Sequence, residues 1–255
     1  MRFLAALSFL TIIPLPRRLE FGSAEVGRSL VYFPVVGIAI GLILAALNWV
    51  LVLFLPSALV SGLLVVALVV IGGALHLDGF IDTCDGIAGQ TVEARWRVMH
   101  DSRAGAFGIV GAFLLLLVKY LSLNSVPGNF MAVTLVLMPM VSHWAMAYAV
   151  FAFPYARPTG LGKVFKQETS RLSFTIATVA TLLLATGLAW LAGASFFYLG
   201  GLAIMFSSWV IVVVLAAYLK RKFAGLTGDT YGAINEAVEV GVLVFVSLLA
   251  YNRWV

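Results

Sequence analysis

Seven long apolar runs constrain this chain more than any other feature. A transmembrane helix needs about 20 consecutive, mainly apolar residues, and each run comes close to that length. Only 11% of the 255 residues are charged, whereas a soluble domain carries about a quarter. The sequence therefore predicts an all-α, polytopic membrane bundle of about seven transmembrane helices, folded as one membrane-embedded domain over residues 1–255. The predicted spans are Leu30–Phe54, Ser57–Leu75, Gly105–Ser125, Phe130–Phe153, Leu172–Ala192, Ser195–Leu219 and Val240–Trp254.

The charged residues fall on one side of this predicted bundle. With seven crossings, four long polar connections lie on one side of the membrane and three short turns on the other. The long connections carry 14 of the 16 Lys and Arg residues and all 11 Asp and Glu residues. Because Lys and Arg accumulate on the cytoplasmic side, we expect the N-terminus and this charged face in the cytoplasm, at a bacterial inner membrane. The long connections are 1–29, 76–104, 154–171 and 220–239; the turns are Leu55-Pro56, Val126–Asn129 and Gly193-Ala194; the two remaining basic residues, Lys119 and Arg253, are expected to snorkel from the ends of their spans.

The N-terminal segment is apolar but short. Arg2 followed by Phe3–Ile13 resembles the start of a signal peptide, but no small-residue cleavage site follows, and Pro14 and Pro16 interrupt the run. We expect an interfacial or re-entrant helix here, with an eighth span or a cleaved signal as the alternatives. The single cysteine, Cys84, excludes an intramolecular disulfide and a zinc site built from several cysteines.

Three aspartates follow the second predicted span at positions i, i+4 and i+7. On a helix, Asp78, Asp82 and Asp85 lie within about 60° of one another around the axis, so their carboxylates share one face. Such a cluster is costly unless a cation neutralises it, and oxygen ligands facing the cytosol indicate Mg²⁺, with Mn²⁺ as the other candidate. The alternative is a solvated acidic cap on a helix end. His76, just before the cluster, is either a ligand or general base, or a hydrogen-bonded interfacial histidine.

The segment before the third span combines a helix start with a further charged pair. Free N–H groups at a helix N-terminus favour anions, and Arg103 is of the type that binds a phosphate through two hydrogen bonds. Asp101 is a candidate fourth carboxylate. The alternative is that the basic residues simply anchor the cytoplasmic end of the span.

Two further cytoplasmic segments, Pro154–Lys163 and Gly225–Glu236, carry charged residues beside glycines. In the first, the glycines, Arg157 and Lys163 are spaced as in a phosphate-binding loop. The second leads into the last predicted span, and ionisable groups at the mouth of a span are functional candidates. Its candidates are Asp229, Asn235, Glu236 and the following Glu239, with helix capping as the alternative for Thr230, Asn235 and Glu236.

Together, the carboxylates, arginines and glycine-rich turns are the groups that Mg²⁺-dependent phosphoryl transfer uses. In such reactions the metal ion binds the phosphates, and basic side chains stabilise the negative charge that spreads over them in the transition state. The membrane location implies an amphipathic or membrane-delivered substrate. A transporter is the rival class, but transporters place ionisable residues near the bilayer midplane, and no predicted span has a central carboxylate. A structural anchor for other enzymes would not need clustered aspartates.

Several uncommon motifs occur in order over nearly the whole chain: Tyr32–Gly37, His76–Gly86, Met99–Arg103 with Gly105, Phe107 and Gly108, Pro154–Arg157 with Gly160–Gly162, and Thr227–Asp229 with Gly232, Ala233 and Glu236. In this order they resemble the cobalamin synthase family, the adenosylcobinamide-GDP ribazoletransferases of B12 nucleotide-loop assembly. One departure is Ser142-His143, where the family pattern has a basic residue before Trp144. The aspartate motif resembles that of the CDP-alcohol phosphotransferases only loosely. Their motif has Ala-Arg after the first Asp-Gly pair, whereas in this chain Ile81-Asp82 follows Phe80 instead.

The resemblance implies a reaction, and the candidate residues fit roles in it. A free ribose hydroxyl of α-ribazole, or of α-ribazole 5′-phosphate, attacks the cobinamide-bearing phosphorus of adenosylcobinamide-GDP; GMP leaves, and adenosylcobalamin or its 5′-phosphate forms. Our hypothesis for the roles is Mg²⁺ binding by Asp78, Asp82 and Asp85; catalysis by Asp82, Asp101 and His76, with Asp101 either completing the metal shell or acting as base; contact with the pyrophosphate and leaving GMP by Arg103, Arg157 and Lys163; and contact with a sugar or second metal by Asp229 and Glu236.

The implied partners are these two substrates and membrane lipid, with no nucleic acid. Association with other nucleotide-loop enzymes and homo-oligomerisation stay open. The net charge of +5 is explained by membrane topology and pyrophosphate binding. The alternative function is a membrane phosphotransferase of the CDP-alcohol type acting on a nucleotide-activated lipid, which would release CMP from a CDP-lipid.

Overall fold

The computed structural model describes residues 1–16, 20–101, 103–191 and 197–251. Within these residues the chain forms helices and no strand, which confirms the all-α prediction. The helices are α1 (Arg2–Leu10), α2 (Ser23–Gly27), a 3₁₀ turn (Arg28–Tyr32), α3 (Phe33–Leu51), α4 (Ser57–Ile71), α5 (Leu75–Ile87), α6 (Val92–Met99), α7 (Ala106–Asn124), α8 (Gly128–Ala152), α9 (Leu161–Glu168), α10 (Arg171–Leu191), α11 (Phe197–Phe223) and α12 (Gly228–Tyr251).

The long helices are those of a polytopic membrane protein. Six helices are long and apolar enough to cross a membrane, and α4 with α5 forms a bent pair that raises the number to as many as seven. Large apolar side chains such as Phe107, Phe113, Leu183 and Phe206 are exposed on the outside of the bundle, as lipid-facing residues are. The prediction of about seven spans is confirmed at this level. The predicted turn at Gly193-Ala194, and Arg17, Arg18 and Arg253, lie outside the described residues.

The second predicted span breaks where α4 gives way to α5. Gly73 and Ala74 both have left-handed backbone, with φ of 60° and 57°, and the chain turns by 88° between the two helices. The backbone N–H of Ile12 donates to the carbonyl of Ile71 at 2.9 Å, which satisfies one carbonyl that the end of α4 leaves free. α5 has only 13 residues and turns away from α4, so it is too short to cross a membrane by itself.

α1 does not form an eighth span. Its 9 residues extend about 14 Å, less than half of the roughly 30 Å hydrocarbon core. Ala6 and Leu10 are fully buried, and Phe9 stacks on Phe33 at a ring-centroid distance of 6.1 Å. α1 is therefore an apolar helix packed on the start of α3, as the interfacial or re-entrant interpretation expects.

α8 is the centre of the bundle, and α3 packs closely along it. A Cβ added to Gly37 of α3 would collide with the Pro139 carbonyl, and one added to Gly41 would come within 2.5 Å of the Val136 Cα. Small residues four positions apart let two membrane helices approach closely. α8 is almost wholly buried, because α3 packs along one side of it and α12 packs along another.

The sequence placed the start of the last span wrongly. α12 begins at Gly228 instead of Val240, and α11 continues to Phe223. The residues between 228 and 240 include several that hydropathy counts as polar, yet Asn235, Glu236 and Glu239 are buried against neighbouring helices. A polar side chain with an internal partner lowers the apolar score of a helix without shortening it.

Candidate active site

The acidic face of α5 meets the first turns of α12. A Cβ at Gly79 would come within 2.8 Å of the Asp229 carbonyl oxygen, and one at Gly232 within 3.0 Å of the His76 carbonyl oxygen. Because neither glycine has a side chain, the two backbones approach closely and Asp229 lies beside the aspartates of α5. The fold thereby joins two segments that the sequence singled out separately.

Asp82 lies in a crowded acidic environment. Burial, which is the largest cause, and repulsion from the carboxylates of Asp78, Asp229 and Asp85 together raise the pKa of Asp82 from its ordinary 3.8 to about 6, against a smaller lowering by His100. Across the described part of the chain, the carboxylates of Asp78 and Asp82 have neither a hydrogen bond nor an ion pair. Carboxylates crowded together without protein partners favour a bound cation.

Asp85, the third predicted metal ligand, is tied to the start of α7. Its Oδ2 accepts from the Gly105 N–H and its Oδ1 from the Gly108 N–H, both at 2.7 Å. A carboxylate in this position satisfies free N–H groups and complements the helix dipole. Sequence spacing therefore placed three aspartates on one face, but two of them are free and the third caps a neighbouring helix. Among the described residues, no three His, Cys, Asp or Glu side chains are grouped to hold a metal ion by themselves.

A cavity of about 300 Å³ opens next to Asp78, Asp229 and Arg157. Its wall comes from all four of the long connections that the sequence predicted on one side, or from the helix ends next to them. The Arg157 Nη2 lies 3.2 Å from the Asp229 Oδ2, and both side chains are about a quarter exposed. The other side chains used below that line the cavity are Phe9, Phe33, His76, Val150, Tyr155, Leu161, Phe165 and Tyr231.

The glycines near Arg157 make room for Tyr155. A Cβ at Gly162 would overlap the Tyr155 ring, and one at Gly160, where φ is 119°, would come within 2.6 Å of its hydroxyl. Backbone hydrogen bonds join this segment to the start of α12, because the Ala156 N–H donates to the Leu226 carbonyl at 2.8 Å. This pattern, which resembled a phosphate-binding loop, holds the tyrosine and the arginine at the cavity.

The other predicted basic and acidic residues lie away from this wall. Asp101 and Arg103 form an exposed pair, with the Arg103 Nη2 2.8 Å from the Asp101 Oδ2 and the arginine side chain 87% exposed. Hydrogen bonds from Arg103 lower the pKa of Asp101 to about 2. Lys163 donates to the Pro158 carbonyl at 2.7 Å and is exposed. Of the three predicted phosphate-binding residues, only Arg157 lines the cavity.

A buried ion cluster corrects two expectations. Lys119 on α7 is fully buried and does not snorkel; its Nζ lies 2.5 Å from the Glu236 Oε2 and 2.7 Å from the Glu239 Oε2. The Ser142 Oγ donates to the other Glu239 oxygen at 3.4 Å, and Asn235 donates to Ser142 at 3.2 Å. The expectation that no span carries a central carboxylate is therefore wrong, and Glu236 neither caps a helix nor lines the larger cavity.

The ion cluster borders a very small inner cavity. This space of about 20 Å³ is lined in part by His76, His143, Glu236 and Glu239, and it has room for about one water molecule. His143 hydrogen-bonds the Pro139 carbonyl through its Nδ1 at 2.7 Å and packs edge-on against His76 at 5.2 Å between ring centroids. Both carboxylates are already paired with lysine, so the cluster resembles a structural ion pair more than a transport pathway.

Three residues at these sites were missed from the sequence. Tyr155 and Tyr231 line the cavity with parallel rings at 6.4 Å between centroids, and aromatic residues are too common in membrane spans to stand out. Lys119 had a usable signal, because a lysine inside a long apolar run is itself a reason to look for a buried partner.

The side chains of Thr227 and Thr230 each accept a hydrogen bond from the other residue's backbone N–H at the start of α12. The capping interpretation is therefore confirmed for Thr230.

The fold and the site define a polytopic helical membrane protein with an acidic, aromatic-lined cavity at one end of its bundle. The model of the family described as cobalamin-5-phosphate synthase matches residues 2–247. The chain therefore belongs to the cobalamin-5-phosphate synthase family, a family of enzymes, as the motifs predicted.

Curated relatives agree over nearly the full length of the chain. The chain is 36% identical to the adenosylcobinamide-GDP ribazoletransferase of Geotalea daltonii over 93% of both chains. It is 36% identical to the one from Roseiflexus sp., over 97% of this chain and 90% of the relative. It is 34% identical to the one from Desulforamulus reducens, over 95% of this chain and 94% of the relative. No solved structure gives a significant match.

Proposed function

We propose that this protein joins α-ribazole, or α-ribazole 5′-phosphate, to adenosylcobinamide-GDP with release of GMP. The relatives carry the name of this activity over nearly the whole chain. The observation that carries the proposal is the cavity in which Asp78, Asp229 and Arg157 border aromatic walls. Such a cavity offers groups for a charged pyrophosphate and for a flat apolar ring in adjacent places.

The free carboxylates fit a magnesium ion that is shared with the substrate. Mg²⁺ prefers oxygen ligands and is usually held by one or two carboxylates together with substrate phosphates. Asp78 and Asp82, which have no protein partner across the described residues, would hold it, with Asp229 adjacent. When bound, the ion would neutralise charge on the pyrophosphate. Asp85 is assigned to capping α7.

The chain's own residues would position the reactants. Arg157, held by Asp229, would bind a phosphate oxygen as charge moves onto the leaving GMP. The oxygen of a free ribose hydroxyl of the acceptor forms the new bond to phosphorus, the bond from phosphorus to GMP breaks, and the hydroxyl proton passes to a base; a 5′ phosphate on the acceptor is retained in the product. Among the three candidate bases, His76 lines the cavity, Asp82 lies one helical turn beyond Asp78, and Asp101 is paired with Arg103.

We also propose that the end of the bundle bearing the cavity faces the cytoplasm. The long connections and the helix ends next to them line the cavity, and the same connections carry 14 of the 16 Lys and Arg residues, as the positive-inside rule predicts for a cytoplasmic face. A nucleotide-activated donor and a released nucleotide would then enter and leave on the side where nucleotides are found.

The test is GMP release by purified protein in detergent or liposomes. We expect GMP from adenosylcobinamide-GDP with each ribazole substrate, loss of turnover in EDTA and recovery with Mg²⁺. Asp82→Asn should lose activity by at least about 100-fold, the upper end of what changes outside the metal shell cost. Glu93→Gln, an exposed acid-to-amide change on α6, is the matched control.

Two outcomes would contradict the proposal. CMP release from a CDP-lipid, without GMP release from adenosylcobinamide-GDP, would establish the CDP-alcohol type of reaction instead. Full Mg²⁺-dependent turnover of a correctly inserted Asp82→Asn protein would overturn the metal assignment.

A further inference from the structure

The cavity beside the acidic face has an unusually aromatic wall. Phe9, Phe33 and Phe165, from α1, α3 and α9, form a triangle of rings with centroid distances between 5.3 and 6.1 Å. Tyr155 and Tyr231 add a second pair of rings with an angle of 17° between their planes. These five residues come from distant parts of the chain, and all of them line the same space of about 300 Å³.

Three residues that line this cavity have buried polar atoms without a hydrogen-bond partner across the described residues: His76 at Nε2, Arg157 at Nε and Tyr231 at Oη. His76 and Arg157 belong to the end proposed to bind the pyrophosphate, and Tyr231 belongs to the aromatic wall. The residue is only 5% exposed, and its Oη has no hydrogen-bond partner across the described residues. Buried polar atoms nearly always have partners, so each exception calls for an explanation. A ligand atom that accepts a hydrogen bond from the phenol would supply the missing partner.

The charged groups at the cavity suit the phosphates of a ligand better than the edge of its base. Arg157 and Asp229 are already paired with each other, and Asp78 belongs to the acidic face. The remaining lining is mainly aromatic and aliphatic, including Val150 and Leu161. A guanine ring would need partners for its N–H groups and for its carbonyl oxygen, because burying them unpaired is costly. A hydrocarbon-rich ring with one acceptor atom needs only one.

This inference rests on the proposed function and names the part of the substrate that the cavity recognises. We propose that the cavity binds the base of the ribazole acceptor, with its benzo ring among the phenylalanines and the Tyr231 Oη donating to its one free ring nitrogen. A benzimidazole riboside has that composition: one nitrogen carries the sugar, and the other is the only hydrogen-bond acceptor on the ring. The ribose would then extend toward Asp78 and Arg157, where one of its free hydroxyls meets the pyrophosphate.

The test replaces the ring nitrogen in the ligand and the hydroxyl in the protein. An indole riboside keeps the shape of a benzimidazole riboside but has a C–H group in place of the free nitrogen. Wild-type protein should use the benzimidazole riboside with a kcat/KM about 3- to 10-fold higher, as expected for one net hydrogen bond. In Tyr231→Phe this ratio should fall to near 1, with the KM for adenosylcobinamide-GDP unchanged.

Tyr148→Phe is the matched control. Tyr148 lies on α8 against Trp144 and Phe174, away from the cavity, and its removal should leave the ratio at the wild-type value. The wild-type ratio does not depend on the folding of any variant. If wild-type protein uses both ribosides equally, or if Tyr231→Phe keeps the wild-type ratio, this inference is wrong although the proposed function stands. If wild-type protein releases no GMP with any acceptor, the proposed function itself fails.

Discussion

At the scale of single residues, identical side chains on one helix face differ in what they contact. Asp78, Asp82 and Asp85 have the spacing of a metal site, and the sequence treated them alike. The structure leaves the first two free, while Asp85 holds the N-terminus of α7. Spacing predicts which side chains share a face; it does not predict which helix end will lie against that face, because the partner comes from another part of the chain.

The raised pKa of Asp82 predicts how stability depends on pH. In the metal-free folded protein this pKa is about 6 instead of 3.8, so the folded state binds the proton more tightly than the unfolded chain does. The stabilising contribution is present below the ordinary pKa and is lost as the pH rises through about 6. Melting temperatures in detergent with EDTA should therefore fall between pH 4 and 7, and Asp82→Asn should reduce that fall.

Asp85→Asn provides the matched comparison. It should lower the melting temperature at every pH in this range, because one amide oxygen cannot replace a carboxylate that accepts from two N–H groups; a lost helix cap costs about 1 kcal/mol. Mg²⁺ should stabilise wild type and Asp85→Asn, and stabilise Asp82→Asn much less. A pH slope that is the same in Asp82→Asn and wild type would show that another group causes it.

At the scale of elements, the start of α12 shows what a hydropathy profile cannot contain. Residues 228–239 look like a polar connection because Glu236 and Glu239 count against a span. Both are buried in the folded bundle through Lys119, a residue more than 100 positions earlier. The remaining spans were predicted to within a few residues because their exposed faces contact lipid and carry no such partners.

Removing Lys119 should be strongly destabilising. Lys119→Met leaves two carboxylates buried without a cation, and breaking a buried ion pair in this way costs about 3–5 kcal/mol. The triple variant Lys119→Met/Glu236→Gln/Glu239→Gln should recover much of the loss, since it removes the uncompensated charge. Yield and melting temperature in detergent are the measurements, with Lys220→Met at an exposed site of α11 as control. A triple variant no more stable than Lys119→Met would contradict this account.

At the scale of the whole molecule, the alternation of long and short connections was the most productive pattern in the sequence. It predicted that four distant segments meet on one side, and the cavity is lined from all four. The pattern could not predict how closely the helices at this side approach one another. The close approach of α5 to α12 at Gly79 and Gly232 depends on two glycines that sequence reasoning did not connect.

The orientation of the whole bundle can be measured with single cysteines. In a Cys84→Ser background, Thr159→Cys lies next to Gly160 of the cavity wall, and Asn129→Cys lies at the exposed start of α8. A membrane-impermeant maleimide should label residue 159 in inside-out vesicles and residue 129 in right-side-out vesicles. The opposite labelling would place the cavity outside the cytoplasm.

The buried ion cluster also has a consequence for how the protein is made. Lys119 is separated by 117 residues from Glu236 and by 120 from Glu239, so the ribosome delivers the lysine long before either carboxylate exists. A nascent α7 has to keep an unpaired ammonium in or near the bilayer until the last helix arrives. Insertion of this part of the bundle is therefore complete only when α12 is made, and a protein whose synthesis stops before α12 would retain a charge that it cannot neutralise.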